Sequence, residues 1–130
     1  MVESTKATMV TEEIEVTASS AFLPDQSDPD SDRFIYRYTI SIENKSDLSI
    51  QILARKWVII DGNGKSTIVE GPGVVGETPV IDPGKQYQYS SYCPLATDFG
   101  TMEGTYQVIR NHTENMEISI PRFYLAANAL

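Results

Sequence analysis

The 130-residue sequence has one cysteine, one histidine and one tryptophan, and no apolar run long enough to cross a bilayer. A lone Cys93 excludes an internal disulfide and fits a reducing compartment. One thiol and one imidazole are too few for a dedicated cobalt or zinc site built from nitrogen and sulfur ligands. His112 lies in the turn-like Asn111-His112-Thr113-Glu114-Asn115, and nothing brings it to Cys93 as a nucleophile–base pair. No catalytic residue and no cofactor is therefore expected. Basic clusters are missing too: Arg55-Lys56 is the only adjacent pair, which argues against nucleic acid and against an anionic membrane surface. The opening MVESTKATMV lacks the basic end and apolar stretch of a signal peptide. The expectation is a water-soluble, cytoplasmic protein, in which the sequons at Asn44 and Asn111 have no role.

What charge there is lies unevenly. The net charge is −8, and the segment up to Asp32 holds eight acids against one base, so the remainder is nearly neutral. The length suits one domain with an ordinary core. Sustained helical periodicity and internal repeats are absent.

Period-two alternation is present instead. In Arg33–Asn44, Phe34, Tyr36, Tyr38, Ile40 and Ile42 share one face, while Arg37, Thr39, Ser41 and Glu43 take the other. Ile50–Asp61 is apolar at both parities, with Ile52, Val58 and Ile60 on one and Leu53, Trp57 and Ile59 on the other. Such a strand is either covered on both sides or has an outer face meant for a partner. Further strands are predicted over 12–23, 86–93, 105–111 and 116–125. Pro121 predicts a bulge or an edge in the last. About seven short strands with Gly and Pro turns indicate an all-β, immunoglobulin/fibronectin type III-like sandwich. Trp57 falls in the third predicted strand, where such sandwiches often bury a Trp. Tyr106 stands where a tyrosine corner would sit, and the missing Cys pair favours the fibronectin-like variety.

The segment Glu70-Gly71-Pro72-Gly73-Val74-Val75-Gly76 spells G-x-G-x-x-G through Gly71, Gly73 and Gly76. A dinucleotide fingerprint needs a helix opening at its last glycine. Pro79 and Pro83 forbid that helix, and Glu70 and Glu77 would repel a phosphate. The simpler reading is turn chemistry, with type II turns over 71–74 and 82–85. An anion site built from loop amides is the alternative.

Asp25, Asp28, Asp30 and Asp32 form an acidic loop that can be weighed as a weak Mg²⁺ or Ca²⁺ site. The spacing fits no EF-hand, and a solvated loop accounts for it. Arg55 shares parity with Leu53, Trp57 and Ile59. If that row is core, Arg55 needs a carboxylate such as Glu70 or Glu103. If the row is surface, Arg55 and Trp57 make a patch of the kind that anchors partners.

With these segments in place, the chain resembles the ApaG family. The match runs through Phe22-Leu23-Pro24, Gln26-Ser27-Asp28-Pro29, Phe34-x-Tyr36-x-Tyr38-x-Ile40 and Gln51-Ile52-Leu53-x-Arg55-x-Trp57. It continues through Gly71-x-Gly73-Val74-Val75-Gly76-x-x-Pro79, Gly100-x-Met102-x-Gly104-x-Tyr106 and Ile120-Pro121-x-Phe123. Lys56 stands where relatives often carry His. The resemblance implies a single ApaG domain over residues 1–130, with 1–11 an N-terminal extension lacking fixed structure. It implies a bacterial stand-alone protein linked to cobalt and magnesium tolerance, and a domain reused in eukaryotic F-box and polymerase-associated proteins as an interaction module. It also implies a glycine motif proposed to bind pyrophosphate. The expected function is a non-catalytic module for a protein partner, a second copy of the chain among the candidates. The alternative is a small-molecule binder taking pyrophosphate, a nucleotide or a metal–phosphate complex at Gly71–Gly76.

Overall fold

Alternating side chains make extended strands wherever one face can be buried, and nearly every such stretch of this sequence does so. The computed structural model describes residues 3–128. Its strands are β1 (Glu3–Thr11), β2 (Ile14–Phe22), β3 (Phe34–Asn44), β4 (Ile50–Asp61), β5 (Ser66–Pro72), β6 (Val80–Ile81), β7 (Gln86–Leu95), β8 (Phe99–Arg110) and β9 (Glu114–Ala126). One antiparallel sheet has the order β1-β2-β3-β7, and the other β5-β4-β8-β9 with β6 also paired to β4. This is the sandwich expected from the sequence, with two strands more than anticipated. No helix among the described residues is long and apolar enough to cross a membrane.

The predicted inner face of β3 is buried from Tyr36 to Ile42. It packs on Trp57, Met102, Tyr106 and Phe123 of the facing sheet. Tyr38, Trp57 and Phe123 form an aromatic cluster, with Tyr38–Trp57 ring centroids 5.2 Å apart and nearly edge-on. Such contacts add about 0.5–1.5 kcal/mol per pair beyond their buried area. Pro121 behaves as predicted: β9 is an edge strand whose register against β8 slips between Met102 and Gly104, at the proline.

Two expectations are corrected here. Residues 3–11 are not an unstructured extension but β1, laddered to β2 from Glu3↔Ala21 to Thr11↔Ile14; residues 1–2 lie outside the described residues. The strand was missed because, among its described side chains, Ala7 alone packs on the core, and the backbone ladder to β2 carries most of its contact. Tyr106 does not form a tyrosine corner. β8 begins at Phe99, which leaves Tyr106 mid-strand and fully buried, its hydroxyl bonded to that of Tyr89.

Candidate functional site

One residue of β4 decides what that strand presents to the interior. Its ladder to β8 slips between Ile52 and Ala54, so Leu53 is an extra residue, and a bulge reverses which alternate side chains face inward. Ile50 and Ile52 are buried before it. After it Arg55, Trp57 and Ile59 face the space between the sheets. The uninterrupted alternation had put Ile52 with Val58 and Ile60, which the bulge overturns.

The glycine segment lies opposite that bulge. The amide of Gly73 donates to the Leu53 carbonyl at 2.7 Å, and that of Ile52 to Pro79 at 3.0 Å. Thus β5 and β6 run along β4 as one interrupted strand, and residues 73–78 loop out between them. The turn is not at 71–74, because β5 continues through Pro72. It is Val74-Val75-Gly76-Glu77, where Val74 and Glu77 exchange both backbone hydrogen bonds at 2.8 and 3.0 Å. Val75 and Gly76 have φ of 48° and 80°, the positive values of a two-residue type I′ turn. The second predicted turn is present, with Lys85 donating to Asp82 and Gly84 at φ 78°. The amides of Gly73, Val74 and Glu77 therefore all donate to carbonyls rather than converging on an anion.

Arg55 holds this loop in place. Its Nη1 donates to the carbonyls of Pro72 at 2.9 Å and Gly73 at 3.2 Å. The carboxylates expected to pair it are engaged elsewhere: Glu70 lies 3.8 Å from Lys56, and Glu103 2.6 Å from Arg122. Backbone carbonyls satisfy part of the guanidinium without a counter-charge, a solution that composition could not reveal. A second tie comes from the opposite sheet, where the Tyr87 hydroxyl donates to Glu77 at 2.9 Å.

Together these elements frame an open seam between β7 and the β4–β5 edge. The cavity there is about 530 Å³, within the range of small-molecule sites, about 300–1,000 Å³. Its back is aromatic, with Trp57, Tyr38 and Tyr89. Exposed Val75 and Tyr92 flank the mouth, and Arg55 and Lys65 bring positive charge. Asp61 also lines it, but that carboxylate accepts the amides of Asn63 and Lys65, each at 2.9 Å. Trp57 is 2% exposed, so it is core and not a surface anchor; its indole N–H has no hydrogen-bond partner among the described residues. Burial pushes the Cys93 thiol up to about 12. Burial likewise raises Tyr38, Tyr89 and Tyr106, the last two bonded to each other. The sequence reading missed Tyr38, Tyr89 and Cys93 as neighbours of Arg55, because they come from the other sheet.

Asp25, Asp28, Asp30 and Asp32 stand on and beside two successive 3₁₀ turns, Pro24–Gln26 and Pro29–Ser31, all exposed. No three His, Cys, Asp or Glu side chains among the described residues gather to hold a cation.

These features define a small immunoglobulin/fibronectin type III-like sandwich with a glycine loop clamped to a bulged central strand. The chain belongs to the ApaG family: the profile of the ApaG domain matches residues 24–110. It is 43% identical over 116 residues to Protein ApaG of Beijerinckia indica, covering 89% of each chain. It is 46% identical to Protein ApaG of Mesorhizobium japonicum, again over 89% of both. The crystal structure of an ApaA protein from Bordetella pertussis superposes with a TM-score of 0.85 at 37% identity, over 87% of this chain and 92% of that one.

Proposed function

We propose that this protein is a non-catalytic module for a protein partner, bound at the outer face of β4 and β5. The observation that carries the reading is an apolar row on that face. Beyond the bulge Val58 and Ile60 point outward, half-buried, and Ile68, 59% exposed, stands opposite Val58 in register. Ile60 pairs with Thr101, which pairs with Tyr124, and the exposed Tyr124 ring stacks on Phe99 at 5.8 Å. The Lys56–Glu70 and Arg122–Glu103 ion pairs border the row. An apolar centre with a charged rim is the anatomy of a protein interface.

The link to cobalt and magnesium tolerance implied by the resemblance is then indirect, exercised through the partner. The buried thiol of Cys93, pushed up by burial, supports a non-catalytic role. Pyrophosphate or a nucleotide at Gly71–Gly76 has less support, because the amides of Gly73, Val74 and Glu77 already have acceptors.

A photo-crosslinking side chain placed at residue 68, with residue 88 on the opposite outer face as control, tests the reading in the native host. One discrete protein adduct from 68 and none from 88, lost on Tyr124→Glu, is the expected result. An adduct of twice the chain mass would make that partner a second copy. Equal labelling from both positions, or none from 68, would overturn it.

A further inference from the structure

We propose that the seam between β5 and β7 binds a small organic anion with an apolar body, its carboxylate against Arg55 and its body on Trp57, Ile59 and Leu95. This site is on the inner side of the sheet whose outer face is described above, so the two readings stand or fall separately.

The space itself asks for an occupant. A concave seam of about 530 Å³ beside Trp57, with an aromatic back and a few polar groups, has the size and lining of a small-molecule site. Ile59, Leu95 and Met102, with the aromatic back, give the seam an apolar floor that suits an apolar ligand body. Charge then selects among apolar ligands. Arg55 makes no ion pair among the described residues: the cations that do are Lys45, Lys56, Arg110 and Arg122. Lys65 adds a second cation at the mouth, and the lining carboxylate of Asp61 already accepts two amides. A guanidinium with part of its donor fork unused matches the geometry of a carboxylate. Trp57 lines the seam at its core side, so its ring offers the apolar body a flat surface to pack on.

The single tryptophan makes the test direct, because the protein gives one indole N–H resonance. The full chain is titrated with phenylbutyrate, with its neutral primary amide, and with inorganic pyrophosphate. Phenylbutyrate should move the Trp57 indole resonance saturably, and the amide should bind about tenfold more weakly, the worth of roughly one charge-assisted hydrogen bond. Arg55→Gln should remove that preference and leave amide binding unchanged. If Arg55→Gln disorders the loop, the comparison of acid with amide on the unaltered protein decides alone. No saturable shift with either apolar probe at millimolar concentration would overturn the proposal. So would equal affinity for acid and amide, or a response to pyrophosphate only.

Discussion

The guanidinium of Arg55 occupies the space that a side chain at residue 71 would need: a Cβ built on Gly71 would lie 2.9 Å from Nη1. Gly71 also pairs with Arg55 across the β4–β5 ladder. The first glycine of the loop therefore makes room for the cation that clamps the rest. Gly71→Ala should push Nη1 off the Pro72 and Gly73 carbonyls and cost about 1.5 kcal/mol, the worth of a hydrogen bond from a charged donor. Arg55→Met should cost a similar amount. The double variant should cost clearly less than the sum, because both changes remove the same contact. Urea unfolding of the four proteins checks this, and strict additivity would show that the two residues act independently.

Gly104 should be the least replaceable glycine of the interior. A Cβ there would lie 1.9 Å from the Lys56 carbonyl oxygen, backbone that cannot swing aside. Gly104→Ala should cost about 3 kcal/mol through overpacking, or prevent folding. Gly76→Ala meets nothing within 4 Å and should cost about 1 kcal/mol from its positive φ alone. Thermal melts of both variants give the comparison, and a reversed order would contradict the packing.

Asn44, the last residue of β3, is fully buried and ties two elements together. Its Nδ2 donates to the Leu48 carbonyl at 2.8 Å and the Ile81 carbonyl at 2.9 Å, and its Oδ1 accepts from Ser46. Asn44→Asp keeps the shape but cannot donate, leaving two carbonyls facing a carboxylate. The expected loss is about 3 kcal/mol at neutral pH, partly recovered in acid as the carboxyl protonates and can donate once more. Denaturant unfolding at two pH values reads it out; equal stability at both would refute the donor role.

Alkaline pH should weaken the fold. Burial raises the Cys93 thiol to about 12 from an ordinary value of 9.0, so the unfolded chain releases that proton first. Its stability contribution is complete below pH 9 and is lost as pH rises towards 12, because the unfolded state then binds fewer protons. Tyr36, Tyr38, Tyr89 and Tyr106 shift upward for the same reason and add to the loss above pH 10. Unfolding free energies should fall steadily over this range, with tyrosinate absorbance appearing as the protein unfolds. Cys93→Ala should flatten the lower part of the slope. A flat profile would mean that these groups are reached by solvent in the folded state.

Most of the architecture was legible along the chain. The alternation from Phe34 to Ile42 named the inner face of β3, Pro121 marked the bulge in β9, and Asp82-Pro83-Gly84-Lys85 specified its turn. Each is a local property, set by period, ring geometry or φ preference, so neighbours in sequence suffice to read it. The pattern through Gly71, Gly73 and Gly76, with prolines after it, was likewise enough to reject a helix-borne phosphate loop.

Other decisions needed tertiary contacts. Among the described side chains of β1 only Ala7 packs on the core, and the strand forms because β2 offers a free edge to its backbone. The bulge at Leu53 has no signature in sequence; it arises where Gly73 bonds to the Leu53 carbonyl, and it turns Trp57 inward and Val58 outward. Arg55 could have met Glu70, Glu103 or solvent, and only the approach of the glycine loop gave it two carbonyls instead. The seam beside it joins Trp57 to Tyr38, Tyr89 and Cys93 across two sheets. Strand pattern determined which residues are buried, whereas the pairing of distant strands decided which of them share a site, because that depends on register and no local preference encodes it.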